Sequence, residues 1–427
     1  MLLRNKLQSF NLSRDLTQEK QWGNSPYSHT DLPRLRKGLV SAQFWSVYVP
    51  CEAQYMNTVQ LLLEQIDAIK RLLAASPKET TLVMASTDIM KEFGCGRVSS
   101  LLGVEGGHGL GNSMGVLRAL YDLGVRYVTL THKCHTPWAE CSEDDSGEGP
   151  NAHGLTIYGK KMIVEMNRLG MMVDLSHSSA NTARDVLATS LAPVIFSHSA
   201  ARALCDIDRN VPDDILSALA DNGGLVMVSF YSDFLTCGKP AAISDVIAHI
   251  NHVRTMAGVD HVGLGAGYDG VNKTPQGLED VSRYPELFAE LLQDPSWSLK
   301  DLKKLAGLNL LRVFGRSRSL LPEDLMPPPP FPPGAGPDGG RRALRGHHSH
   351  PRHRLPLALQ VQVRQPGGRG SNVTLPVLRG RRPPSSLSSA NPDQSGDHPE
   401  DSPSSFFNGQ SAGSTRQAIL CSELTQQ

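Results

Sequence analysis

"MMVDLSHSSA" (171–180) and "PVIFSHSAAR" (193–202) decide how this chain folds. Each is a short apolar, partly β-branched run that stops at Ser-His and then turns polar. Such runs suit parallel strands covered on both faces. Strands of this kind are expected at 44–49, 101–105, 127–131, 171–175, 194–197, 225–230 and 262–265. Amphipathic patterns fall between them, including "TVQLLLEQIDAIKRLLA" (58–74) and "SMGVLRALYDLG" (113–124), the latter capped by Ser113 and stopped by Gly124. "VPDDILSALADNGG" (211–224) repeats the design, with Pro212 in its first turn and Gly223 past its end. Strand–helix alternation at this length admits a (β/α)₈ barrel or an open doubly wound sheet. Seven strands are clear, and "TLVMAS" (81–86) is either the eighth stave or an extra strand outside the barrel.

Composition narrows the function classes. Lys+Arg and Asp+Glu stand at 42 each in 427 residues, so no global field favours nucleic acid or a membrane surface. Seven cysteines, without CxxC spacing, are too sparse for a disulfide mini-scaffold or a thiolate zinc site. The start, "MLLRNKLQSFNLSRD", has no apolar h-region and does not read as a signal peptide. No run approaches the ~18–20 apolar residues that cross a bilayer, and "RQAILCSELTQQ" is not a lipid-anchor signal. Composition changes sharply at about residue 322, where "MPPPPFPPGAGPDGGRR" begins. Two regions are therefore expected: a folded domain over 1–320 and a low-complexity, disordered tail over 321–427. Ten arginines between Arg341 and Arg382, with no acid among them, make the tail a nucleic-acid arm at most, and "HHSHPRHR" (347–354) a weak metal candidate. Biased composition explains both, and the tail is given no role.

What stands at the strand ends carries the chemistry. Glu105, His132, His177, His198 and Asp269 each fall at or just past the C-terminal end of a different strand. In parallel α/β folds that edge is where active sites are assembled. One such histidine is more often structural; three with carboxylates at equivalent positions converge on one mouth. Neutral imidazoles and a carboxylate ligate zinc or a similar divalent ion. A carboxylate can also bridge two such ions and generate a hydroxide nucleophile for an acyl carbon. "GNSMG" (111–115) fits the G-x-S-x-G nucleophile elbow, but six residues separate Gly107 from Ser113, so Ser113 reads as a helix N-cap. "GVEGGHGLG" lacks the Gly-Lys-Ser/Thr end of a P-loop.

At these residues the sequence resembles the membrane (renal) dipeptidase family of zinc-dependent hydrolases on an amidohydrolase-type barrel. "QFWSVYVPC", "LLGVEGGHGL", "YVTLTHKCHTPWAE", "NRLGMMVDLSHSS", "APVIFSHSAARALC", "RNVPDDIL" and "PQGLEDVSRYPELFAELL" carry the resemblance, over about residues 1–315. It implies a metallopeptidase that cleaves dipeptides by attack of a metal-bound hydroxide on the peptide carbonyl. It implies two zinc ions bridged by Glu105, with His177 and His198 holding the second, and His132 and Arg209 binding substrate. An arginine suits that task because its planar fork pairs bidentately with a carboxylate. Disulfides Cys51–Cys134 and Cys205–Cys237 are implied as well, hence an oxidising, secretory compartment. Asn11, Asn272 and Asn372 open glycosylation sequons. The family is typically lipid-anchored at the outer cell surface and often dimeric; neither nucleic acid nor direct membrane insertion is expected of this chain.

Two departures qualify the resemblance. The family holds its first zinc with His-x-Asp at the end of strand one. "SHTDLPRLR" (28–36) offers His29 and Asp31, yet its place before "GLVSAQFWSVY" matches a later family segment. By that register the metal motif lies upstream of Met1, so the barrel is expected to lack strand one, leaving one zinc or none. On the last strand, "GLGAGYDG" (263–270) has Gly267 where the family has its proton-transfer Asp, with Asp269 one step further out. Side chains at i and i+2 share a strand face, so Asp269 is the candidate for that task. The alternative is an impaired family member serving as a binding or structural ectodomain.

Overall fold

The computed structural model describes residues 11–142 and 154–319. The tail read from the composition lies outside the described residues, as do Asn372 and Cys421. Eight strands form one parallel sheet: β1 (Ala42–Tyr48), β2 (Thr80–Leu82), β3 (Val98–Glu105), β4 (Val125–Thr129), β5 (Met172–Asp174), β6 (Ile195–Ser199), β7 (Leu225–Val228) and β8 (Val262–Leu264). The pairing path runs β1-β3-β4-β5-β6-β7-β8, with β2 beside the start of β3 and off that path. All seven expected staves are present, and "TLVMAS" supplies the extra strand. The sheet is that of a (β/α) barrel with an open seam: among the described residues no strand joins β8 to β1.

Helices cover the sheet where the apolar periodicity placed them. Thr58–Ala74 reproduces the longest predicted pattern to the residue. The Ser113 side chain accepts the Val116 N–H at 3.3 Å and caps Met114–Asp122, so it is no nucleophile elbow. Asp213–Asn222 ends at Gly223 with φ +81°, a left-handed turn that glycine adopts without strain, while Pro212 sits at the N-cap just before the helix. No helix among the described residues is long and apolar enough to cross a membrane.

Alternation along the strands builds two layers of core. Leu102, Val104, Val128, Val173, Phe196, Val226 and Val228 face the helices. Leu101, Tyr127, Met172, Ile195, Leu225 and Met227 face the barrel interior, with Val313 and Phe314 packed against them. Gly103 is needed here because a Cβ would meet the Tyr127 ring at 2.1 Å. The helix Asn309–Arg318 closes the floor: buried Asn309 donates from Nδ2 to the Val259 and Val262 carbonyls at 2.8 Å each. One strand step above the apolar layer, the inward residues become Glu105, Thr129, Asp174 and Ser197. The interior thus turns from apolar to polar toward the strands' C-terminal ends.

His249 ties the upper rim together from the helix Ile243–Ala257. Its Nδ1 accepts the Ala201 N–H at 3.0 Å and its Nε2 meets the Leu235 carbonyl at 2.9 Å. Burial pushes this imidazole below its ordinary value, with the Leu235 hydrogen bond opposing. The unfolded chain therefore takes a proton below pH about 6.5 that the folded chain refuses. Stability is full above that pH and falls as pH drops below it. Urea denaturation of the metal-free protein at pH about 7.5 and about 5.5 should show this loss, and His249→Gln should reduce the slope; equal slopes would remove His249 as the cause.

Candidate metal centre

The polar rim gathers one cluster. Glu105 is the last residue of β3, and its Oε1 lies 3.4 Å from His177 Nε2, 3.2 Å from His198 Nε2 and 3.9 Å from His132 Nε2. The two imidazole Nε2 atoms of His177 and His198 stand 3.1 Å apart. His132 follows β4, its ring centroid 4.3 Å from that of His177 and 4.6 Å from that of Tyr48. The sequence reading placed Glu105, His132, His177 and His198 at one mouth, and the structure brings all four together.

Local backbone irregularity aims these groups. His177 has φ +67°, a left-handed conformation that costs a non-glycine residue of order 1 kcal/mol or more and concentrates at functional positions. The β6–β7 register shifts between Phe196 and Ser199, so Ser197 and His198 leave the ladder. Such irregularities re-aim side chains next to active sites. The backbone is then pinned from below: the His198 N–H donates to Ser176 Oγ at 3.0 Å, and Thr131 Oγ1 donates to the His177 carbonyl at 2.8 Å.

The donor set fits a divalent cation. Three atoms with lone pairs, Glu105 Oε1 and two imidazole Nε2, converge within 3.4 Å of one another. Carboxylate and imidazole are the ligands zinc and similar ions take. Burial opposes ionisation of Glu105, but hydrogen bonds to His177 and His198 and the neighbouring imidazoles prevail, holding its carboxyl well below the usual range. Glu105, His132 and His177 also satisfy the spacing of a metal site. Cys51, His108 and Cys134 lie equally close, but the two sulfurs are joined in a disulfide.

Both implied disulfides are formed, Cys51–Cys134 and Cys205–Cys237, and Cys95 and Cys141 take part in neither. Cys51–Cys134 bridges the segments after β1 and β4, close to His132.

The remaining sequence candidates take other places. Asp31 is fully buried and saturated: it accepts the Leu16 N–H at 3.1 Å, the Arg34 N–H at 2.8 Å and Arg34 Nε at 2.6 Å. It is the N-cap of Leu32–Lys37, with Pro33 in the first turn. His29 Nδ1 accepts the Asp269 N–H at 3.0 Å, while Asp269 Oδ1 accepts the His29 N–H at 2.8 Å. This reciprocal pair joins the segments flanking the edge strands β1 and β8. Asp269 itself has φ +66°. A Cβ built on Gly267 would lie 4.0 Å from the His198 ring, so that position faces the cluster without a side chain. Arg209 is buried, donating to Ser199 Oγ at 2.8 Å and to the His198 carbonyl at 2.7 Å, with Phe234 beneath its guanidinium at 4.8 Å.

Sequence reasoning missed Asp174. It is fully buried at the end of β5, beneath His198, and accepts from Thr129, Ser176 and Ser197. The signal was an acid inside an otherwise apolar strand, three residues before His177.

Comparison with known proteins gives the following. The family model described as membrane dipeptidase, peptidase family M19, matches residues 2–321. Dipeptidase 3 of Homo sapiens is 49% identical over 302 residues, covering 70% of this chain and 61% of that protein. Dipeptidase aclJ of Aspergillus oryzae is 45% identical over 300 residues, covering 68% and 70%. The chain thus spans about three fifths of the length of the Dipeptidase 3 relatives it matches. A solved metallopeptidase described as dipeptidase AC is 26% identical, covers 74% of this chain and 96% of its own, and superposes with a TM-score of 0.67. A metallopeptidase from Rhodobacter sphaeroides, solved with a phosphinate mimic of L-Ala-D-Ala, shares the fold at 24% identity and a TM-score of 0.65, covering 74% and 97%.

Asp31→Ala should lower the unfolding free energy by about 3 kcal/mol, because it strips buried Arg34 of its nearer carboxylate partner and the helix of its cap. Uptake of divalent metal by the folded variant should be unchanged. Loss of metal with the fold intact would make Asp31 a ligand.

Proposed function

The chain belongs to the membrane dipeptidase family M19, and we propose that it hydrolyses dipeptides at a zinc centre held by Glu105, His177 and His198. The observation that carries this reading is the convergence of Glu105 Oε1 with two imidazole Nε2 atoms at 3.1–3.4 Å. When bound, the cation supplies Lewis acidity for the scissile carbonyl and makes water a stronger nucleophile at neutral pH. Glu105 contributes a negative charge at the point where the imidazoles meet. His132, 13% exposed at the side chain and stacked beside His177, sits where it can orient the substrate's peptide group. Arg209 carries the charge that a dipeptide's C-terminal carboxylate pairs with, and its bonds to Ser199 and His198 fix where that charge lies. Proton transfer to the leaving amine falls to Asp269 through Oδ2, since Oδ1 already accepts from His29, or to water.

A second reading has its own support. Asp31 is consumed by a helix cap and an ion pair, and Gly267 brings no side chain to the site. With Glu105, His177 and His198 the one open ligand cluster among the described residues, the chain would hold one zinc and bind peptides without turning them over. The two disulfides, and exposed Asn11 and Asn272 in sequons, support an oxidising extracellular setting. By family likeness that setting is the outer cell surface, reached through a lipid anchor, with a homodimer as the assembly.

Zinc content after dialysis, together with amine release from Ala-Ala dipeptides, tests both. We expect bound zinc and hydrolysis in the parent chain, and loss of both in Glu105→Gln, His177→Ala and His198→Ala. Zinc without hydrolysis selects the second reading. No zinc at all removes the first and the metal site with it.

A further inference from the structure

We propose that Asp174, acting through the Ser197 hydroxyl, fixes the tautomer of His198 so that its Nε2 lone pair faces the cation; this rests on the metal reading above. Asp174 is a positioning residue in this role and does not touch the cation.

The proton count leads there. Asp174 Oδ1 accepts the backbone N–H groups of Ser176 at 3.1 Å and Ser197 at 2.8 Å. Its Oδ2 accepts the hydroxyls of Thr129 and Ser197, the latter at 2.6 Å. A carboxylate has no proton to give, so all four partners donate. The Ser197 hydroxyl has one proton, and the 2.6 Å bond to a carboxylate claims it over the 3.3 Å contact with Ser176 Oγ. Ser197 Oγ also lies 2.8 Å from His198 Nδ1. With its proton spent, the hydroxyl accepts there, so Nδ1 carries the hydrogen. A neutral imidazole has one N–H, which leaves Nε2 bare. That is the atom facing Glu105 Oε1 at 3.2 Å and His177 Nε2 at 3.1 Å.

Burying a carboxylate under the barrel mouth costs several kcal/mol unless its hydrogen bonds repay it. Here those bonds come from β4, β6 and the segment that follows β5, so Asp174, at the end of β5, also locks the three strands together at the level of the cluster. Partners of this kind set the tautomer and orientation of metal-binding histidines, and removing them weakens metal affinity by about 10–100-fold.

The two relay residues predict different outcomes. In Asp174→Asn the amide is nearly isosteric and Oδ1 still accepts two backbone N–H groups. Its Nδ2 must donate where the carboxylate accepted, so Ser197 turns its proton to His198 Nδ1. The ring hydrogen then moves to Nε2 and blocks ligation. Ser197→Ala removes the relay and leaves the tautomer unset, whereas Ser197→Thr restores a hydroxyl. Two readouts apply to folded protein: zinc affinity by chelator competition, and long-range proton–nitrogen NMR of the metal-free, histidine-labelled chain. We expect Asp174→Asn to weaken zinc binding by about 10–100-fold and shift His198 from the Nδ1–H to the Nε2–H form. Ser197→Ala should weaken it less, and Ser197→Thr should recover most of the loss. An Nε2–H form of His198 in the parent chain, or parent-like zinc affinity in Asp174→Asn and Ser197→Ala, overturns the relay. If Asp174→Asn does not fold, the Ser197 pair decides alone. A parent chain that binds no zinc sinks the metal reading, while the NMR arm still judges the tautomer.

Discussion

The meeting of one carboxylate oxygen with two imidazole nitrogens at the barrel mouth constrains everything above. Glu105 Oε1 and the Nε2 atoms of His177 and His198 stand 3.1–3.4 Å apart, so a carboxylate and two imidazoles share one small space at the barrel mouth. Residues that merely filled a barrel mouth would not be held this way. The protein invests backbone strain at His177, a register shift in β6 and a buried acid beneath His198 to keep the arrangement. The strained backbone costs stability on its own, and the buried acid does so unless its hydrogen bonds repay it.

The barrel supplies the geometry by layering. Bulky apolar residues fill the lower interior, and the helix Asn309–Arg318 closes the floor. One strand step up, Thr129, Asp174 and Ser197 form a hydrogen-bonded shelf. Glu105, His177 and His198 stand above that shelf. This order lets the stiff part of the sheet position the chemistry, while the disulfide at Cys51–Cys134 ties down the loops beside His132. The seam between β8 and β1 is handled differently. His29 and Asp269 exchange hydrogen bonds across it, and Asp31 holds Arg34, which in turn reaches Asp280 at 3.2 Å.

Much of this was legible in the sequence because burial leaves a periodic trace. The seven staves, the longest helix and the Ser113 cap were read from apolar runs and cap residues alone. Glu105, His177 and His198 were singled out because a polar side chain ending an apolar run is conspicuous. Both disulfides came from family likeness, since cysteine spacing by itself leaves the pairing open. Asp174 escaped notice because an acid within a strand is ordinarily a surface residue, and only the tertiary fold shows the two neighbouring strands donating to it. The β6 register shift was equally hidden: nothing local distinguishes "FSH" in a ladder from "FSH" leaving one. His29 and Asp31 looked like a metal motif, yet Asp before Leu-Pro is also a helix start, and that is how the chain uses it.

The most direct test is anomalous diffraction at the zinc edge from crystals of this chain grown with zinc. A peak within about 2.0–2.3 Å of Glu105, His177 Nε2 and His198 Nε2 is expected, with Nδ1 of His198 still against Ser197. Full-occupancy density elsewhere, or none between these three groups in a crystal that contains zinc, would contradict the assignment.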